Sequence, residues 1–236
     1  LIQLTATVRE ELTKIVYRDG EIQLEHPEAL EEPSLEEPLP LYTTPWEEIF
    51  PSSQEGVEEF QALLPKFPKE DEDCWNITPA DIAEHSDYRL FQFKSTGETY
   101  LLYGGNVCKV GFWVADAALY SLALGDLDED GVYELYFSAA GNTGIPQSIL
   151  YYYDPHSREL VRFPCNYQWH LPYLSQENGV LILNVRFYAQ EQPGEDIPWV
   201  FQREETVGQI VYRDGEIQID HSGYNDPEGN WSDSNT

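Results

Sequence analysis

From residue 87 to residue 221 the chain is a series of short strand-like runs, each closed by a turn signal, and this punctuation restricts it to antiparallel sheet. YRLFQFK (88–94) stops at Ser95-Thr96-Gly97, ETYLLYG (98–104) stops at Gly104-Gly105-Asn106, and VCKVGFWV (107–114) follows. Further along, GNTGIPQ (141–147) reads as a loop, SILYYYDP and ELVRF as a hairpin, and Asn178-Gly179 introduces VLILNVRFY. The predicted fold is mainly β and antiparallel, propeller-like or alternatively a sandwich, with one or two short helices. The helices are expected early. One has Ser52 or Ser53 as cap, Val57, Phe60, Leu63 and Leu64 on one face, and Pro65 as its stop. The other starts at Thr78-Pro79-Ala80-Asp81, with the hydroxyl as cap and proline in the first turn.

One turn of the series carries chemistry. In SLALGDLDEDGVYELYF (121–137), Asp126, Asp128 and Asp130 alternate, Gly131 follows, and Glu134 completes D-x-D-x-D-G-x-x-E. A hard cation such as calcium takes about 6–8 oxygen ligands, and alternate positions of a coiled loop turn their carboxylates inward. Gly131 permits the sharp turn that swings the Val132 carbonyl toward the ion, and Glu134 closes the shell directly or through water. An EF-hand needs a bidentate glutamate at the twelfth loop position; counted from Asp126, that position is Phe137. The flanks alternate as strands do, with Leu122 and Leu124 before the loop and Tyr133, Leu135 and Phe137 after it. The bland alternative is an acidic turn without an ion, since Asp and Gly suit turns for backbone reasons. Against it, Asp126, Asp128, Glu129 and Asp130 within five positions repel one another unless a cation offsets them.

A D-x-D-x-D-G loop between strands resembles the calcium loops of FG-GAP and VCBS-type repeats, over about residues 119–163, where YYYDPHSREL is similar to an inter-strand turn. The resemblance implies a bladed propeller, a calcium ion, and an extracellular setting among adhesion and carbohydrate-linked proteins. In this chain the motif occurs once and ends on Glu134, where those loops usually have Asp.

Thirteen basic residues against 43 acidic ones give a net charge of −30, so nucleic acid and anionic membranes are repelled as partners. The 236 residues, 41% of them apolar, suffice for one ordinary domain or two small ones with a real core. Cys74, Cys108 and Cys165 allow at most one disulfide and have no zinc spacing; Cys108 reads as a buried small hydrophobe. No apolar run approaches the ~20 residues of a membrane span. The sequence has no methionine, so an N-terminal segment is expected to be missing from it, a secretion signal being one candidate.

The most literal pattern is a repeat: IVYRDGEIQLEH at 15–26 returns as IVYRDGEIQIDH at 210–221, and VREELTKI (8–15) matches QREETVGQI (202–210) with one residue inserted. Asp19-Gly20 favours a two-residue type I′ turn, which places Arg18 opposite Glu21 and Lys14 opposite Glu25. The two copies read either as equivalent edge units of one β-fold or as the boundary of a longer repeat. The organisation expected is a hairpin unit at 1–26, a Pro/Glu-rich linker or arm at 27–51, a main β domain at 52–221, and a polar tail at 222–236.

The chain has no G-x-S-x-G, H-E-x-x-H, Walker or dinucleotide fingerprint, and its five histidines, His26, His85, His156, His170 and His221, stand singly. The function expected is a non-enzymatic secreted or cell-envelope module for a protein or carbohydrate ligand. The rivals are an envelope polysaccharide hydrolase using an unnamed carboxylate pair, and the sensor region of a membrane receptor. Tyr151, Tyr152, Tyr153 and Trp169 are candidates for a sugar-stacking surface, but alternation assigns most of them to the core.

Overall fold

The structure is a computed structural model that describes residues 14–18, 21–25, 39–49, 53–64, 73–111, 119–140, 148–164, 170–190 and 199–224. The chain divides into two units, Leu1–Glu37 and Pro38–Thr236. The described residues of the first form one hairpin, β1 (Lys14–Arg18) and β2 (Glu21–Glu25). Its register runs from Arg18 opposite Glu21 to Lys14 opposite Glu25, as the two-residue loop predicts. The turn residues themselves lie outside the described residues, as do Trp169, Cys165, the 141–147 loop and the tail beyond residue 224.

The second unit runs β3 (Tyr42–Pro45), a 3₁₀ turn (Trp46–Glu48), α1 (Val57–Leu63), β4 (Cys74–Asn76), α2 (Ala80–His85), β5 (Arg89–Phe93), β6 (Thr99–Tyr103) and β7 (Asn106–Gly111). It continues through β8 (Leu119–Gly125), β9 (Glu134–Ala140), β10 (Ser148–Asp154), β11 (Glu159–Arg162), β12 (His170–Glu177), β13 (Val180–Gln190), β14 (Trp199–Arg213) and β15 (Glu216–Asp220). Three antiparallel sheets result: sheet I is β4-β5-β6-β7, sheet II is β11-β10-β9-β8-β3, and sheet III is β12-β13-β14-β15. The fold is therefore mainly β and antiparallel, with two short helices among the described residues. Successive meanders stacked in this way fit the sandwich form as well as the propeller-like one.

Sheet II lies in the middle because both faces of its strands are apolar. Leu122, Leu124, Leu135 and Phe137 pack with Leu90, Leu101 and Val110 of sheet I. The alternate residues Ala123 and Tyr136 pack with Leu174, Leu183, Val185 and Val207 of sheet III. The outer face of sheet I is covered by α1, whose Phe60 ring stacks on Phe91 at 4.3 Å. Tyr151, Tyr152 and Tyr153 belong to these layers: Tyr153 is buried, Tyr151 stacks on Phe137, and Tyr152 stacks on Tyr136.

Several details depart from the sequence reading. Gly56, in the left-handed conformation at φ 71°, occupies the cap position of α1, while Ser53 bridges to Asn76 and its hydroxyl accepts the Glu55 amide. That start points Val57 and Phe60 inward and leaves Leu63 47% exposed. At α2 the Thr78 hydroxyl is taken by the Leu90 amide at 2.8 Å, a cross-strand bond that leaves Pro79 at the cap. Residues 42–45, inside the stretch read as linker or arm, add an edge strand to sheet II; Pro45 sits at its end, where a missing N–H costs least. Cys74 is buried, whereas Cys108 is half-buried. Among the described residues no helix is long and apolar enough to cross a membrane.

The C-terminal copy of the repeat forms the β14–β15 hairpin with the same pairing as the first, Arg213 opposite Glu216 and Gln209 opposite Asp220. Its turn residues Asp214 and Gly215 have φ of 57° and 87°, the two positive angles a type I′ turn needs. The inserted residue of this copy falls where the β13–β14 register slips, Leu183 facing Gly208 and Asn184 facing Thr206 with Val207 bulged between them.

Candidate metal centre

The acidic loop spans Asp126 to Tyr133 and is pinned at its base by Gly125 opposite Glu134, the last rung of the β8–β9 ladder. The chain reverses there through Glu129 at φ 60° and Gly131 at φ 88°. The turn directs the loop amides inward. Asp126 accepts the Asp130 amide at 3.0 Å and the Gly131 amide at 2.9 Å, and Asp130 accepts the Val132 amide at 2.8 Å. A fourth bond runs from the Asp130 amide to Asp128 at 3.3 Å. These amides orient the carboxylates before any ion arrives.

The four predicted carboxylates come together. One oxygen each from Asp126, Asp128, Asp130 and Glu134 lies within 4.8 Å of the others, so the four carboxylates could hold a metal ion. Val132 donates its amide to Asp130, and Glu129 is exposed and outside the cluster. Glu134 differs from the aspartates because it begins a strand: it is 2% exposed and accepts the Tyr136 hydroxyl at 2.7 Å and the Leu127 amide at 3.2 Å. Burial pushes its carboxyl up to about 7, against the pull of those two bonds. Burial also raises Asp128, with the charge of Asp130 adding to it. The loop end is tied to sheet I by the Tyr88 hydroxyl, which donates to the Tyr133 carbonyl at 2.7 Å.

Sequence reasoning missed what comes from the β10–β11 turn. His156 read as a lone surface or turn residue; it is exposed on that turn, and its Nε2 bonds Asp130 Oδ2, 26 positions away in sequence. The hydrogen bond to Asp130 raises its pKa. Asp154 orders the turn by accepting the His156 and Ser157 amides. Burial raises its carboxyl, but the Ser157 and His156 bonds outweigh this and hold it below the ordinary range. No local spacing could reveal these partners, since only the β9–β10 pairing brings the two turns to one end of sheet II. Asp128, Glu134, Asp154 and His156 then line a cleft of about 180 Å³ whose far wall is Tyr212, Gly215 and Glu216 of the repeated hairpin.

The chain matches no family model, no curated protein and no solved structure.

Proposed function

We propose that this chain is a non-enzymatic secreted or cell-envelope module for a protein or carbohydrate ligand, stiffened by a calcium ion at Asp126, Asp128, Asp130 and Glu134. The Val132 carbonyl is a further ligand in this reading. The observation that carries it is the convergence of four carboxylates within 4.8 Å on a loop whose own amides hold them in place. The donors are all oxygen, which disfavours zinc and copper, and a turn of this kind tolerates the irregular shell of calcium better than the strict octahedron of magnesium. The loop spacing it shares with FG-GAP and VCBS-type repeats and the −30 charge accord with an extracellular role.

Thermal unfolding of metal-stripped protein, with and without millimolar calcium, tests this directly. A ligand at a hundredfold excess over its dissociation constant stabilises by about 2.7 kcal/mol. The wild type should gain several degrees and an Asp128→Ala, Asp130→Ala variant none. Equal behaviour of the two would overturn the assignment.

The hydrolase rival has one observation in its favour, the cleft in which Asp128, Glu134, Asp154 and Glu216 meet, with Glu134 pushed up to about 7 by burial. Spacing weighs against it. Acid/base pairs of glycosidases stand about 5–5.5 Å or 6.5–9.5 Å apart, leaving room for substrate or water. Within the loop, one oxygen from each of the four carboxylates lies within 4.8 Å of the others, closer than such a pair requires, and Glu134 is enclosed by Tyr136 and Leu127. Release of reducing ends from envelope polysaccharide by the wild type, abolished by Glu134→Gln, would reverse the preference.

A further inference from the structure

We propose that the crevice where the edges of sheets II and III meet binds a single uncharged hydroxylated ring, of the class of a monosaccharide residue. This deepens the ligand-binding reading above but does not depend on the calcium loop. The cavity measures about 260 Å³ and draws on β3, β8, β12 and β13. Pockets for drug-sized ligands run about 300–1,000 Å³, so this one suits one ring.

Its lining has the two faces such a ring needs. The buried Leu171 and Leu174 and the ring of Pro45 make an apolar floor, and the half-buried Tyr120 and Tyr173 make aromatic walls. Tyr173 is held in place: the Arg186 guanidinium, which also lines the crevice, lies 4.8 Å from its ring centroid, and Arg186 Nε donates to Glu204 at 2.9 Å. A phenol held in this way offers a flat surface to C–H groups at little entropic cost. Around this surface stand the Thr43 and Ser175 hydroxyls and the Gln176 amide. Ser175 is already oriented, because its oxygen accepts the Asn184 amide at 2.7 Å and Asn184 in turn accepts the Thr206 hydroxyl at 2.8 Å. With that lone pair engaged, the Ser175 hydroxyl keeps its own proton for a further acceptor.

Two observations exclude other occupants. The positive charge of Arg186 is matched by Glu204, and Glu47 stands at the rim, so an anion finds no excess of positive charge. An extended peptide would need the outer edge of β12, but the Leu174 amide already donates to Ser121 and the Pro172 carbonyl already accepts from Ser148. Pro172 has no amide to offer a further strand.

The test is a ¹H–¹⁵N NMR titration of the calcium-loaded chain with D-glucose, D-galactose and N-acetyl-D-glucosamine, each to tens of millimolar. At least one sugar should produce saturable shifts at Thr43, Ser175, Gln176 and Arg186. Tyr120→Ala and Gln176→Ala should each weaken it about tenfold, a loss of ~1.4 kcal/mol, with melting and the calcium response unchanged. Tyr173→Phe, which keeps the ring, should retain binding. Binding that persists in the Asp128→Ala, Asp130→Ala variant supports the site and separates its fate from that of the calcium loop. Absence of saturable shifts, shifts elsewhere on the chain, or indifference to the Tyr120 and Gln176 variants would sink the proposal.

Discussion

Glu134 and Asp220 are both nearly inaccessible carboxylates, at 2% and 8% exposure, yet their surroundings push them in opposite directions. Glu134 has two neutral donors against heavy desolvation, so its carboxyl rises from 4.5 to about 7. Its charge costs stability above that pH in the metal-free chain. Protonation returns the stability as pH falls from about 7 toward 4.5. In the proposed calcium site the ion would have to displace that proton, so its affinity should fall about tenfold per pH unit below 7, measurable by calorimetry in buffers of different ionisation heat. Glu134→Gln should raise the melting temperature of metal-free protein at pH 8 and remove the calcium shift; a lower melting temperature would show that the charge is already compensated. Asp220 is held below the ordinary carboxylate range, first by Ser222 and then by Arg213, whose guanidinium lies 2.6 Å away. Its contribution is complete above the unfolded pKa of about 4 and is lost as pH falls through that value toward the depressed one. An Asp220→Asn variant should therefore melt lower than wild type at pH 7 and approach it near pH 2. A constant difference at both pH values would exclude the ion pair as the cause.

At the scale of elements, the two copies of the repeated hairpin show how far identical words set identical structure. Both adopt the same register, with two residues between the paired strands; in the second copy those two residues have the positive φ values that a type I′ turn needs. Gly215→Ala places a side chain at φ 87° with nothing crowding it, so its cost should be the backbone preference alone, about 1 kcal/mol in urea unfolding. The copies differ at the insertion. Gly208 lies beside the Val207 bulge, and a Cβ there would stand 3.0 Å from Ile219 and His221 side chains and 3.1 Å from the Asp220 carbonyl. Gly208→Ala should cost more than Gly215→Ala, about 1–3 kcal/mol, because the backbone of β15 must shift. Equal costs would mean that the bulge relaxes freely.

At the scale of the whole second unit, side chains that look unremarkable in sequence join the sheets. Ser121 and Ser138 face each other across β8 and β9 with their oxygens 2.9 Å apart, and Ser121 also accepts the Leu174 amide of sheet III at 2.9 Å. Ser148 of β10 donates to the Pro172 carbonyl of the same edge strand. These bonds satisfy the outer side of β12, which would otherwise be open to pairing with another chain. Ser121→Ala leaves a buried amide without its acceptor and should cost about 1–3 kcal/mol, against less than about 0.5 kcal/mol for an exposed serine such as Ser157. A loss no larger than that of Ser157→Ala would show that water replaces the hydroxyl.

What could be read from the chain alone was whatever depends on neighbours in sequence. Turn dipeptides, strand alternation, hairpin register and the spacing of Asp126, Asp128, Asp130 and Glu134 are local, because φ preference and side-chain period act over a few residues. The tertiary structure decided what depends on which strands meet. It made Tyr42–Pro45 an edge strand, gave sheet II two buried faces, drew Thr78 and Ser53 away from their helices, and carried His156 to Asp130. It also set the environment of Glu134: the sequence places a carboxylate at the end of the loop, but only packing between sheets II and III encloses Tyr136, whose hydroxyl meets that carboxylate in a site largely closed to water. Desolvation has no sequence period, so the protonation of the loop had to wait for the fold.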